Sequence, residues 1–279
     1  MSCSSEKHAV MGLKFYEPDS LLKDYVKKII ITELDSASSD LKEMNLVPDC
    51  YQYLCFILVG KPEFFEQGEY VRRPDAVFTG LHTMPTSILM DGNCCIVNVQ
   101  FKPFGLYSFF NVPQEEMINR CVDAKTFIGS SINLLMERLA EAASAESQNQ
   151  IIQGYLKERL KASRFLLPVD HALNLMIEQG GNQTIEDTAA LSCLSLKQFE
   201  RVCKLRLGIS PKSFGKLVRF SNLYKLREKH PELPWSQLAN HCGYFDQMHM
   251  IRDFKQFTGG NPKFITRDDV FRSFPFEKY

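Results

Sequence analysis

The segments CKLRLGISP (203–211) and FKQFTGGNP (254–262) are two copies of one pattern. Lys204, Gly208 and Pro211 recur as Lys255, Gly259 and Pro262, each 51 positions later, and Arg201 recurs as Arg252. Upstream, Ala189 and Cys193 recur as Ala239 and Gly243 at a spacing of 50. The one-residue difference falls where a turn can absorb it. A duplication of this kind constrains the fold strongly, because one supersecondary unit must form twice in the same chain.

Each copy reads as two short helices and a tight turn. In the first, Thr184 caps a helix with Asp187 three residues on, and Ile185 and Ala189 face inward, where a small residue lets a second helix cross. After the turn from Ser192 to Leu194, Ser195 caps the second helix, with Phe199, Val202 and Cys203 on its apolar side. Lys197, Glu200, Arg201 and Lys204 line the other side at helical spacing. The second copy repeats this plan: Leu238 and Ala239 inside, Gly243 at the turn, Asp246 as cap, and Met250, Ile251, Phe254 and Phe257 as the stripe. Gln247, His249, Arg252 and Lys255 crowd its exposed face. Two helices joined in this way, the second carrying long polar side chains, form a helix-turn-helix whose second helix fits a DNA major groove.

Between the copies, Ser210-Pro211 starts a further helix, with Phe214, Leu217, Ser221 and Tyr224 on one face. Gly215 inside it costs about 1 kcal/mol against alanine and predicts close packing there. From Pro211 to Lys229 the helix spans roughly 28 Å at 1.5 Å per residue, a spacer near the roughly 34 Å between successive major grooves. The chain has no net charge, yet Lys197–Lys229 holds ten Lys and Arg against two Glu, so the neutral average hides a basic stretch.

The first half is different. YQYLCFILV (51–59), AVFTG (76–80), TSILMDG (86–92) and CCIVNVQF (94–101) read as short strands punctuated by Pro and Gly. Helical periodicity follows at 105–111, 132–143 and 151–162. From Leu166 onward no strand is expected, and Pro168 opens a helix that stops at Gly180 and Gly181. The expected fold class is therefore α+β: a β-rich, barrel-like domain with following helices over 1–164, then an all-α domain over 165–279 with two helix-turn-helix units joined by a linker helix. MSCSSEKHAV lacks the apolar core of a signal peptide and no apolar run approaches the roughly 18 residues of a membrane span, so a cytoplasmic protein without membrane contact is expected. Nine cysteines without a CxxC pair fit a reducing compartment.

The segment TIEDTAALSCLSLKQFERVCKLRLGISPKSFGKLVRF, followed by LPWSQLANHCGYFDQMHMIRDFKQFTGGNP, resembles the paired helix-turn-helix domain of AraC/XylS-type transcription regulators. The resemblance covers about residues 168–265. It is carried by GxSP at 208–211, Arg219 in the linker helix, and GYFDQ with its trailing FKxF. It implies sequence-specific binding of double-stranded DNA by a seven-helix domain, and an N-terminal domain for sensing or dimerisation; no catalysis and no cofactor are expected. By position, it places base-edge contacts at Lys197, Gln198, Glu200 and Arg201 in the first unit. In the second it places them at Gln247, Met248, His249, Ile251 and Arg252, with Lys204, Lys212 and Lys255 nearer phosphates. Cys193, Cys203 and Met248 depart from the residues usual there. FKPFGLYSFFNVPQEEM (101–117) resembles a junction in an uncharacterised type of N-terminal domain that precedes such modules.

Arg201 and Arg252 are the leading base readers, since arginine bidentate to guanine is the commonest specific contact. Gln198 and Gln247 suit adenine or simple solvation; Glu200 suits cytosine or a pair with Lys197 or Lys204. His249 suits a phosphate or packing against its turn. Trp235 is expected to pack in the core. In the first half, Tyr51, Tyr53, Phe78 and Phe101 line either a pocket or plain core. A small-molecule effector, a homodimer and, for an activator, RNA polymerase remain open as partners. A cupin-like metal site has only His8 and His82 to draw on, without HxH spacing. An alkyl-acceptor cluster finds no paired spacing among Cys50, Cys55, Cys94, Cys95 and Cys121. No metal ligands are therefore assigned.

Overall fold

The computed structural model describes residues 10–35, 42–66, 68–90, 93–161 and 166–262. Among the described residues, ten strands form two antiparallel sheets. In the six-stranded sheet the order is β1 (Val10–Tyr16), β2 (Val26–Asp35), β9 (Cys94–Phe101), β4 (Gln52–Val59), β7 (Ala76–Thr79) and β10 (Cys121–Asp123). The four-stranded sheet runs β3 (Lys42–Leu46), β8 (Thr86–Met90), β5 (Glu63–Glu66) and β6 (Glu69–Arg72). The four strands expected from sequence, β4, β7, β8 and β9, all hold interior positions, and β1, β2, β3, β5, β6 and β10 add to them.

Alternation along β9 explains how the large sheet serves two cores. Val97, Val99 and Phe101 point to one face, registered beside Ile31 and Phe56, Ile29 and Leu54, and Val26 and Gln52 respectively. That face is covered by α1 (Gly105–Phe110), α3 (Ser131–Ala140) and α4 (Ala145–Leu160), in a core that includes Phe104, Phe109, Leu135 and Leu156. A short helix, α2 (Lys125–Ile128), precedes α3. Cys94 and Ile96 point the other way, toward Ile88 and Met90 of the second sheet. A strand buried on both sides loses the polar half of its pattern.

The C-terminal part contains α5 (Pro168–Glu178), α6 (Ile185–Leu191), α7 (Leu196–Leu207), α8 (Pro211–Lys229), α9 (Trp235–His241) and α10 (Gln247–Thr258). These are six helices among the described residues, where the resemblance implies seven; residues beyond 262 lie outside the description. The expected division at 164/165 also falls outside it. The long α8 starts at Ser210, whose Oγ accepts from the Ser213 N–H at 3.1 Å, and runs to the expected end. Phe220 of α8 stacks on Phe257 at 4.8 Å and meets Phe254 edge-on at 5.7 Å. Trp235 packs edge-on against Phe254 at 5.1 Å, and the Arg227 guanidinium lies over its ring at 4.8 Å. Gly215 is buried as expected, but a Cβ there would make only ordinary contact, 3.6 Å from the Gly181 carbonyl. The tight approach lies at Gly181, where a Cβ would come within 2.4 Å of the Gly215 carbonyl.

The two parts share buried surface. Cys50, Tyr51 and Leu81 from the β-rich part join the helical core of Phe199, Phe214, Leu217 and Phe220. At the end of α7, Gly208 lies against the 3-10 turn Gln114–Met117: a Cβ on Gly208 would sit 2.3 Å from the Gln114 carbonyl. Only glycine fits that approach, and its φ of 80° suits glycine too.

Candidate nucleic-acid interface and the cavity beside it

The sequence repeat is also a repeat of hydrogen bonds. In the first unit the Leu194 N–H reaches the Ala189 carbonyl at 3.2 Å and Cys193 N–H reaches Ala190; in the second, Tyr244 reaches Ala239 at 3.0 Å and Gly243 reaches Asn240. Both second helices end alike: Gly208 donates to the Lys204 carbonyl at 2.8 Å and Gly259 to that of Lys255 at 2.9 Å, each glycine left-handed. Both begin on a side-chain cap. Ser195 Oγ accepts from the Gln198 N–H at 3.4 Å, and Asp246 Oδ1 accepts from the His249 N–H at 2.6 Å. Each cap satisfies a backbone donor that the helix start leaves open.

One element of the repeat is strained. Cys193 holds φ 55° where the second unit has Gly243 at 73°. A non-glycine residue there costs about 1–2 kcal/mol, while glycine costs roughly 0.5–1 kcal/mol in lost chain entropy. Cys193→Gly is therefore expected to stabilise the first unit by about 0.5–1 kcal/mol. Chemical denaturation of the two proteins checks this, and a variant less stable than the parent would mean that the exposed thiol makes a contact worth more than the strain.

Burial along α7 and α10 separates two faces. Phe199, Cys203 and Leu207, and likewise Met250, Phe254 and Phe257, are buried, whereas Lys197, Gln198, Glu200, Arg201 and Lys204, and likewise Gln247, Met248, Arg252 and Lys255, are exposed. Lys212, in the first turn of α8, is exposed as well. Among the described residues, the side chains of Lys197, Arg201, Lys204, Lys212 and Lys255 make no hydrogen bond or ion pair, while their backbones take part in the helices. Arg252 Nε leans back to the Met248 carbonyl at 3.3 Å. Gln198 Oε1 accepts from the Ser195 N–H and hydroxyl at 3.0 and 2.9 Å, so its side chain serves the cap. Ile251 is half-buried against the helical core. His249 packs edge-on against Tyr244 at 5.3 Å, with Nε2 3.7 Å from the buried Asp253 carboxylate. Phe245, within the GYFDQ motif, is 93% exposed, and Met248 in the first turn of α10 is 62% exposed. The sequence carries no signal for this, since Tyr244 occupies the same stretch between Gly243 and Asp246 and is buried in the helical core.

Arg206 leaves the basic stretch. It is buried in the last turn of α7, where its Nη2 donates to Asp170 Oδ2 at 2.8 Å and its Nε lies 2.8 Å from Oδ1. Its guanidinium also lies over the Tyr107 ring at 5.2 Å, with Nη2 3.5 Å from Ser108 Oγ. A cation counted from sequence with the surface charges instead joins α7, α5 and α1.

Between the two sheets lies a cavity of about 130 Å³. Its body is apolar, formed by Ile30, Ile57, Phe64, Ile88, Met90 and Ile96 among others. Tyr51 and Tyr53 line it, whereas Phe78 and Phe101 sit in the core on the opposite face of the large sheet. Asp49 closes one part: it accepts from the Tyr51 N–H at 3.0 Å and from the Tyr53 hydroxyl, which in turn accepts from Gln100 Nε2 at 2.9 Å. Burial pushes the Asp49 carboxyl up to about 6, against the pull of the Tyr53 and Tyr51 hydrogen bonds and of Lys225. Burial, helped by the Arg73 charge, holds His82 down at about 4. His82 Nε2 is buried and has no hydrogen-bond partner among the described residues. Lys225 of α8 stands 5.3 Å over the Tyr51 ring, so the cavity wall is also the seat of the linker helix.

Residues 188–267 match a family model described as a helix-turn-helix domain, and residues 14–123 match a domain of unknown function (DUF6597). The chain carries an AraC-type helix-turn-helix domain. Comparison with curated proteins gives no match. Among solved structures, the chain is similar to ToxT from Vibrio cholerae, with 11% identity, 88% of this chain and 98% of that chain covered, and a TM-score of 0.46. It is similar also to unsaturated fatty acid bound wild-type ToxT from Vibrio cholerae strain SCE256, at 12% identity over 92% and 98% with a TM-score of 0.47. For the AraC-like transcriptional activator CuxR the identity is 12%, the coverage 96% and 80%, and the TM-score 0.29. The AraC-type domain contains both exposed arginines and both caps described above. Among the described residues no group of three His, Cys, Asp or Glu could hold a metal ion, and no helix is long and apolar enough to cross a membrane.

Proposed function

We propose that the protein is a transcription regulator whose residues from about 165 grip duplex DNA with two recognition helices, α7 and α10, in successive major grooves. The observation that carries the reading is the duplicated unit, with Arg201 and Arg252 exposed at equivalent places on equivalently capped helices. The 19-residue α8, roughly 28 Å long at 1.5 Å per residue, supports the spacing. Arg201 and Arg252 specify bases; Lys197, Gln247, Met248 and Phe245 supply further groove contacts, the last two through thymine methyl groups. Lys204, Lys212 and Lys255 neutralise phosphates and set the register. Gln198 acts mainly by fixing its helix start, His249 by packing against its turn, and Ile251 by seating α10. No catalytic step or cofactor belongs to this reading.

The part before residue 165 acts as a sensor. A small molecule between the sheets would press on Tyr51, and through its ring on Lys225 and α8, the helix that sets the distance between the two readers. Selection of binding sites from random duplexes with the full-length chain, followed by footprinting, tests the proposal. Protection of two patches about one helical turn apart on one face of the DNA is expected. A single protected groove would remove the two-headed reading.

A further inference from the structure

Resting on the two-headed reading above, we infer that Asn119 and Thr83 are positioning residues for DNA recognition: they tie together two loops of the β-rich part that brace the ends of both recognition helices and fix the distance between them. The brace begins in the large sheet. β7 and β10 pair as far as Thr79 and Cys121, and the ribbon runs on past both strands. The Gly80 N–H donates to the Arg120 carbonyl at 3.2 Å and the Asn119 N–H to that of Leu81 at 3.0 Å. Gly80 lets the two backbones close, since a Cβ there would sit 2.2 Å from the Met117 carbonyl oxygen. The Asn119 side chain then locks the tip. Its Oδ1 accepts from the Thr83 N–H at 2.7 Å and its Nδ2 donates to Thr83 Oγ1 at 3.1 Å. Asn119 holds φ 57°, in the left-handed region that asparagine enters more readily than most residues.

Each tied loop meets one recognition helix at its C-terminal glycine. The loop 114–119 takes α7: a Cβ on Gly208 would lie 2.3 Å from the Gln114 carbonyl oxygen and 2.7 Å from Ile118 Cδ1. The loop 80–85 takes α10: a Cβ on Gly259 would lie 3.6 Å from Pro85 Cγ. Leu81 and Ile118, one from each loop, enter the helical core. The first loop is anchored back to β4, where Gln52 Nε2 donates to Gln114 Oε1 at 2.5 Å. Gly208 and Gly259 stand at the opposite ends of α7 and α10 from the caps Ser195 and Asp246, so the brace leaves Lys197, Arg201, Gln247 and Arg252 exposed. α8 joins the two units along one side, and this second tie keeps them from turning about it. The geometry matters because one base-pair step moves a groove by about 3.4 Å and about 35°. Units that cannot turn lose one bidentate arginine contact when the spacing is wrong.

A spacing series with the full-length protein tests this: the selected site with one or two base pairs added or removed between its protected patches, and random duplex as reference. The parent is expected to lose about 10-fold to 100-fold for a one-base-pair change, the worth of one bidentate contact. Asn119→Gly keeps the left-handed backbone without strain and removes the tie. Pro85→Ala, at an exposed position, removes the ring that meets the end of α10. Both variants should flatten the one-base-pair penalty to under about threefold and leave binding to random duplex unchanged. The assignment is overturned if either folded variant keeps the parent's penalty, including the case in which it weakens every duplex alike. Should Asn119→Gly not fold, Pro85→Ala alone decides. A parent indifferent to spacing would remove the two-headed reading and the brace together, whereas variants as strict as a strict parent remove the brace alone.

Discussion

Replacing Asp170 with alanine is expected to cost the folded protein about 3–5 kcal/mol, because it leaves the Arg206 guanidinium buried without its partner. Asp170 is fully buried and Arg206 is 4% exposed. The carboxylate does double duty: it also accepts from the Leu167 N–H at 2.7 Å, closing the first turn of α5. Burial drives the Asp170 carboxyl above its usual range, and the charge and hydrogen bonds of Arg206, with the Leu167 N–H, pull it back. The pair is therefore a weak source of net stability but a costly one to break. Replacing both residues, Asp170→Leu with Arg206→Met, should bring the protein back to within roughly 2 kcal/mol of the parent, the remainder being the lost cap. Guanidinium denaturation of the parent and the two variants decides the matter: if Asp170→Ala costs under about 1 kcal/mol, water reaches the guanidinium and the pair is not a buried one.

This pair marks the limit of what the sequence could reveal. The two helix-turn-helix units were legible because their constraints are local: a cap is read from Ser195 or Asp246 and the residues just after it, and an apolar stripe from i, i+3 and i+4 spacing. The duplication then supplied each reading twice. Arg206 belongs to the same helix face arithmetic, yet nothing within α7 says that an aspartate 36 positions earlier and a tyrosine ring near residue 107 will close over it. A contact made across the fold has no local signature, and a cation in a basic run looks like its neighbours.

The β-rich part was legible in its middle and obscure at its edges for a related reason. β4 and β9 are long and rich in branched and aromatic residues, so they stand out. β2 sets Ile29, Ile30 and Ile31 in a row because both its faces are covered, and that erases the alternation by which strands are found. β5 and β6, EFFE and EYVR, are short and carry charges at their ends, the composition expected near sheet edges and easily taken for loop. The cavity followed from neither. Tyr51 and Tyr53 face it while Phe78 and Phe101 face away, a distinction set by which sheet face each strand position occupies.

Removing both candidate base readers is expected to produce the largest functional effect. Arg201→Ala and Arg252→Ala should each cost about 1–3 kcal/mol on the selected site. They lie on α7 and α10, in separate units, so the losses should add, giving about 2–6 kcal/mol, or roughly 30-fold to 10⁴-fold. Binding to random duplex should fall far less, following the salt-dependent loss of at most two charges. Each single change should also relax preference at a different base position, and the two positions should lie about one turn of the double helix apart. Titration of the parent, both single variants and the double variant on the selected site and on random DNA measures all of this. If the double variant is no weaker than the poorer single one, the two helices do not engage one duplex together. The repeated unit would then place one arginine in a groove and leave the other in solvent, and α8 would be a packing element with no part in setting a distance.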